Sequence, residues 1–206
     1  MEDTTQSDYV EILRLIQSWG FWRDNGEWDA LLGAYTDNGQ MAVSWGQLGA
    51  ADFVAACRNG MNQTRYAVLH AFGASHVSIH HERALVQTRM TLMLRGSLHG
   101  SLVDVTCYGR TYDQFVKTLS GWKIQLRSNI YEKSRIDPVD TSTVLAIDQD
   151  KLQTYPEAYQ HLAYFQVANG ASVPLDLPRP DSPELARLTT AAKAWLDEPA
   201  THDQRP

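Results

Sequence analysis

The run Tyr66-Ala-Val-Leu-His-Ala-Phe-Gly-Ala-Ser-His-Val-Ser-Ile-His80 marks the point where helical periodicity gives way to extended periodicity. From Tyr66 to Tyr131, segments of about a dozen residues rich in Val, Ile, Thr and aromatics recur. They are separated by Glu82-Arg83, by Arg95-Gly-Ser-Leu-His-Gly100 and by Leu119-Ser-Gly121, each with turn chemistry. The spacing predicts four long, consecutive antiparallel strands.

Upstream of that run the pattern is helical. Tyr9, Ile12, Leu13, Ile16, Trp19 and Gly20 fall on one helical face, and extending the stripe brings Arg23 and Asp24 onto it before Asn25-Gly26 stops the helix. Glu27 to Tyr35 predicts a short second helix with Trp28, Leu31, Leu32 and Tyr35 on one side. Gln40 to Trp45 reads as a short strand, and Ala50 to Arg58 as a third helix ended by Asn59-Gly60. Three helices before a long antiparallel sheet make an α+β fold with a curved, cone-shaped sheet.

Composition changes after Asp137-Pro138. Pro156 and Pro183 each stand where the first turn of a helix begins, Asn169-Gly170 ends one helix, and Pro174 to Pro180 reads as an extended connector. Leu185, Leu188, Ala192, Trp195 and Leu196 give the last helix an apolar stripe that requires burial. The expected organisation is a cone domain over residues 1–136 and a helical extension over 137–206 that packs on the core or on a partner subunit.

A net charge of −6 and a pI near 5.6, with no Lys/Arg cluster, argue against a nucleic-acid or anionic-membrane surface. The acidic, polar start lacks the basic-then-apolar order of a signal peptide, and no run approaches the ~20 apolar residues of a membrane span, so a cytoplasmic location is expected. Cys57 and Cys107 form no metal or redox spacing. His76 and His80 share a strand face but stand about 13 Å apart at ~3.3 Å per residue, too far to grip one ion, and no dinucleotide or phosphate-binding loop is present. Neither a metal nor a cofactor is predicted.

Chemistry converges on Asp24 and His70. A carboxylate at a helix C-terminus meets the negative end of the macrodipole on a face shielded from water, so it needs a partner. If His70 donates a ring N–H to it, the carboxylate fixes the tautomer and leaves the other nitrogen free to take a proton from substrate. Tyr112, Arg110, Arg127 and Asn129 lie on the last two predicted strands, where those pointing inward can hold an oxyanion or protonate a leaving hydroxyl. Trp19, Tyr35, Trp45, Phe72 and Tyr108 suit a pocket for an aromatic or polycyclic molecule. Each residue also has a structural reading. Asp24 could pair with Arg23 or Arg127, His70 could be a hydrogen-bonded core histidine, Arg110 and Arg127 could neutralise cross-strand acids, and Tyr112 could only pack.

Three segments carry a family resemblance. Trp22-Arg-Asp-Asn-Gly-Glu-Trp-Asp29 is similar to the aromatic-x-Asp then Trp-Asp segment of scytalone dehydratase and to the equivalent Asp of lindane dehydrochlorinase. Val68-Leu-His-Ala-Phe-Gly73 resembles their His-x-x-Gly strand start, and Gly121-Trp-Lys-Ile-Gln-Leu-Arg127 resembles the Gly-x-Trp-Lys strand that closes the sheet, with Arg127 where the dehydrochlorinase has a functional arginine. Over roughly residues 8–136 the chain thus resembles the SnoaL-like, or nuclear transport factor 2-like, superfamily. It departs from the pattern at Trp19, where the dehydrochlorinase has a lysine, and at Arg110 and Tyr112, where the dehydratase has serine and asparagine. The dehydratase's second histidine has no clear counterpart.

The resemblance implies a cofactor-independent lyase, acting by dehydration or by retro-aldol loss of formaldehyde, with His70, Asp24 and Arg127 catalytic; Tyr112 joins them as a catalytic candidate from its place on the last strands. Cyclisation or isomerisation needs the same parts. The alternative from another class is a non-catalytic ligand-binding or dimerisation module. A homodimer is expected because a long curved sheet leaves one face needing cover.

Overall fold

The structure is a computed structural model and describes residues 2–63 and 66–198. In chain order the elements are α1 (Glu2–Asn25), α2 (Trp28–Gly33), β1 (Tyr35–Val43), β2 (Gly46–Gly49), α3 (Ala50–Gln63), β3 (Tyr66–His80), β4 (Arg83–Leu98), β5 (Ser101–Thr118), β6 (Gly121–Pro138), α4 (Gln149–Leu152), α5 (Gln160–Ala168) and α6 (Pro183–Asp197). The strands form one curved, unclosed six-stranded sheet in the order β2-β1-β6-β5-β4-β3. Every pairing is antiparallel except β1 with β6. The four long strands expected from Tyr66 onward are β3 to β6.

Local differences have local causes. Tyr35, expected on the second helix, begins β1, because α2 closes when the Ala34 N–H returns to the Leu31 carbonyl and the Ala34 carbonyl then accepts from Ile124 of β6 at 2.8 Å. Asn59-Gly60 does not stop α3, since Gly60 keeps a negative φ and the helix continues to Gln63. Most of the expected Arg95–Gly100 turn belongs to β4. The turn itself shrinks to His99-Gly100, whose φ values of 51° and 88° supply the two left-handed residues of a tight hairpin. Pro156 starts a turn that accepts from Tyr159 at 3.0 Å, and the helix follows at Gln160.

Strand alternation sorts β5 into two faces. Val103, Val105, Cys107, Asp113 and Phe115 are buried on the face that receives α1, α3 and α5. Ile12, Ile16 and Trp19 of α1 pack there with Ala84, Val86, Phe115 and Ile124, while Leu162, Ala163 and Phe165 of α5 cover Val103, Val105 and Tyr131. Gly109 lets β5 pass β6 at a bulge, since a Cβ there would collide with the Ile130 carbonyl oxygen. On the opposite face, Leu185, Leu188, Ala192 and Trp195 of α6 pack on Leu85, Tyr112 and Ile130. The last segment therefore divides: α5 stays with the inner face and α6 buries its apolar stripe outside.

Candidate active site

Close contact between α1 and β3 assembles the site. Gly20 lies so near the strand that a Cβ would meet the Phe72 ring at 2.9 Å, with the His70 carbonyl oxygen at 3.6 Å. One turn later Asp24 reaches His70. Because β3 is an edge strand, its ladder leaves backbone groups open. The His70 N–H donates to Asp24 Oδ2 at 2.7 Å, and His70 Nδ1 lies 2.7 Å from Asp24 Oδ1. One carboxylate thus grips backbone and ring of the same residue, with the two side chains 10% and 12% exposed. Sharing Asp24 this way directs the Nδ1 proton to the carboxylate and leaves Nε2 as the nitrogen with an open lone pair.

Asp24 and His70 stand in the wall of a cavity of about 960 Å3. Trp19, Trp45, Phe72, Arg127 and Asn129 line it as well. The Trp19 indole is a hub. It makes a T-shaped contact with His70 at 5.6 Å between ring centroids and stacks with Phe53 at 6.1 Å, and Phe53 in turn stacks with Trp45 at 6.2 Å. Tyr35 stands behind this wall: its hydroxyl accepts from Trp19 Nε1 at 2.9 Å and its own proton points to Met41 Sδ at 3.5 Å. Burial pushes the Tyr35 phenol well above its usual range, so it serves as a fixed strut for Trp19.

Arg127 is wholly buried and doubly held. Its Nε and Nη2 donate to the two carboxylate oxygens of Asp113 at 2.9 Å each, and its guanidinium lies 4.6 Å from the Trp19 ring centroid and 5.4 Å from that of Phe72. Burial pushes the Asp113 carboxyl up, against the opposing pull of the Arg127 guanidinium and the Thr111 hydroxyl. Nη1 of Arg127 and Oδ1 of Asn129 are buried without a hydrogen-bond partner among the described residues. The cross-strand role considered for Arg127 is therefore real, but it occupies only two of the three guanidinium nitrogens.

Three named residues sit elsewhere. Tyr108, Arg110 and Tyr112 alternate onto the outer face of β5 and are absent from the cavity wall. Tyr112 packs under α6 with Leu85 and Ile130, and burial raises its phenol above the usual value. Arg110 donates to Gln87 at 3.0 Å and pairs with Glu132, while Tyr108 lies under Lys133 Nζ at 4.8 Å. Residues not singled out from sequence take their place: Thr111 from β5, Tyr131 from β6, Ser44 after β1 and Gln166 from α5 line the cavity, and Asp113 of β5 stands behind them, holding Arg127. Ser44 donates to Gln166 Oε1 at 2.8 Å, a contact across 122 residues that no local pattern announces. Cys57 of α3 also lines the cavity; burial pushes its thiol up while Arg23 draws it down.

Among the described residues, no group of three or more His, Cys, Asp or Glu side chains is placed to hold a metal ion, and no helix is long and apolar enough to cross a membrane. Residues 4–128 match the SnoaL-like domain. The chain belongs to the SnoaL-like family.

Relatives of this SnoaL-like protein include fungal chains. Pea pathogenicity protein 2 of Fusarium vanettenii is 29% identical over 179 residues, covering 85% of this chain and 77% of its own. An uncharacterized protein of Emericella nidulans is 28% identical over 210 residues, covering 95% of this chain and 88% of its own, so that similarity includes most of the helical extension. Among solved structures, a candidate scytalone dehydratase from Novosphingobium aromaticivorans superposes with a TM-score of 0.58 at 16% identity, covering 72% of this chain and 99% of that one. A Kribbella flavida protein gives 0.54 at 19% identity over 61% and 90%. These likenesses show that the SnoaL-like domain shares its fold with both solved proteins.

Proposed function

We propose that this SnoaL-like protein is a cofactor-independent lyase in which His70, oriented by Asp24, removes a proton from a hydroxylated aromatic or polycyclic small molecule. The supporting observation is the 2.7 Å contact between His70 Nδ1 and Asp24 Oδ1 in the wall of a large cavity. With the Nδ1 proton held by Asp24, Nε2 takes the substrate proton and Asp24 balances the imidazolium that forms.

In dehydration, the pair released from the C–H bond becomes the new double bond as the C–O bond breaks. The Nε2 proton then leaves with the hydroxide as water, so the enzyme returns to its starting state. In retro-aldol cleavage the same base takes a hydroxyl proton, the C–C bond breaks to release formaldehyde, and the carbanion is reprotonated from Nε2. Either route shifts electron density onto a substrate oxygen, and Arg127 Nη1 is an N–H donor of the cavity wall that has no partner among the described residues. Cyclisation and isomerisation would use the same base.

A pure binding module needs no ring held by a carboxylate beside a cavity, which favours the catalytic reading. It further holds that residues 1–136 form the catalytic unit, that 137–206 buttress it, and that the chain works as a cytoplasmic homodimer.

The test is turnover of a panel of hydroxylated aromatic and polycyclic compounds by wild type, His70→Ala and Asp24→Asn, with melting curves as folding controls. Losses of roughly 10²- to 10⁴-fold in kcat/KM are expected for His70→Ala. A folded His70→Ala protein with wild-type turnover removes the assignment.

A further inference from the structure

Two unpartnered atoms of opposite character belong to neighbouring inward-facing residues of β6. Arg127 Nη1 is a donor and Asn129 Oδ1 an acceptor; both are buried, both side chains line the cavity, and neither atom has a hydrogen-bond partner among the described residues. Arg127 is fully buried and Asn129 is 8% exposed. Buried polar groups left unpaired are costly, so the pair together specifies what would satisfy it.

Asn129 presents its oxygen here. Oδ1 is the buried atom of its amide without a partner among the described residues. Nearby in the same wall the Ser44 hydroxyl is committed, donating to Gln166 Oε1 at 2.8 Å.

Charge narrows the choice of ligand. Asp113 already neutralises Arg127, with both side chains 0% exposed. An anionic ligand group on Nη1 would share that guanidinium with the Asp113 carboxylate, and its lone pairs would oppose those of Asn129 Oδ1. An uncharged group with one acceptor and one donor meets both atoms.

We infer that Arg127 and Asn129 form a neutral donor–acceptor subsite that selects uncharged ligand groups of the carboxamide or hydroxycarbonyl kind and rejects carboxylates. This builds on the proposal that the cavity holds the ligand, and it concerns binding alone.

The experiment is calorimetric titration at neutral pH with three ligands of one shape: naphthamide (acceptor and donor, neutral), acetonaphthone (acceptor only, neutral) and naphthoate (anionic). Naphthamide should bind about tenfold tighter than either of the others, the usual consequence of leaving one buried polar group unpaired. Asn129→Leu should bring naphthamide level with acetonaphthone and leave acetonaphthone within about twofold. Asp113→Asn, checked for folding by its melting curve, should strengthen naphthoate specifically, which a merely structural role would not do.

Naphthoate binding as tightly as naphthamide to wild type overturns the inference. So does an amide-to-ketone ratio unchanged in Asn129→Leu, or folded wild type that binds none of the three. His70→Gln should keep the same ligand order, so a failure of the catalytic proposal would appear in turnover and leave these titrations intact.

Discussion

Asp113 and Arg127 stand opposite each other on β5 and β6, joined by two hydrogen bonds of 2.9 Å, and neither side chain reaches solvent. A buried pair of this kind contributes little beyond an apolar pair of equal volume, but breaking it strands a charge in the interior.

Asp113→Ala should therefore lower unfolding free energy by about 3–5 kcal/mol, read from urea denaturation. The double variant Asp113→Leu with Arg127→Met should lose less than Asp113→Ala alone. A double variant that is the less stable of the two would show that shape, rather than charge balance, is what the pair supplies.

The approach of α1 to β3 depends on a missing side chain. Gly20→Val would force the Phe72 ring from its place, since even a Cβ lies 2.9 Å from it. A stability loss of about 1–3 kcal/mol is expected. Turnover should fall with it, because the same crossing brings Asp24 to His70. Gly20→Val with a wild-type melting temperature and activity would mean that Phe72 moves freely.

His161 of α5 gives stability a pH dependence. Half-burial pushes its imidazole below the usual 6.5, against the smaller opposing effects of Ser134 and Asp137. The unfolded chain then takes up a proton more readily than the folded one, so the sign is fixed: this contribution is complete above pH 6.5 and is lost as pH falls through and below that value. Melting temperature should decline over that window, and His161→Gln should flatten the decline. An unchanged slope in His161→Gln would assign the acid sensitivity to other groups.

Ser182 caps α6, its hydroxyl accepting from Leu185 N at 3.1 Å and from Arg179 N at 3.2 Å. Ser182→Ala should cost about 1 kcal/mol, measured by chemical denaturation. Ser182→Gly should cost only a few tenths of that scale. No loss in Ser182→Ala would show that the side-chain oxygen is not what holds the helix start.

The Asp24–His70 contact was legible because each residue sits in a pattern with a definite face or a definite partner demand. Asp24 continues the apolar stripe of α1, and a carboxylate at a helix C-terminus needs a donor. The face of β5 was not legible. Alternation divides Tyr108, Arg110 and Tyr112 from Thr111 and Asp113, but it does not say which set looks inward, and aromatic and charged side chains suit either side of a half-covered sheet. α6 decided the matter by covering Tyr112.

By itself, the order of residues determined the succession of helices and long strands, the turns between them and the inward stripe of α1, because those depend on periodicity and on chain neighbours. Tertiary structure alone decided the remainder: Tyr35 as the first residue of a strand, Asp113 as the partner of Arg127, and the Ser44–Gln166 bond across the cavity wall. These are contacts between distant segments, whose register and facing follow from sheet pairing and from which surface each helix covers, and no local pattern encodes either.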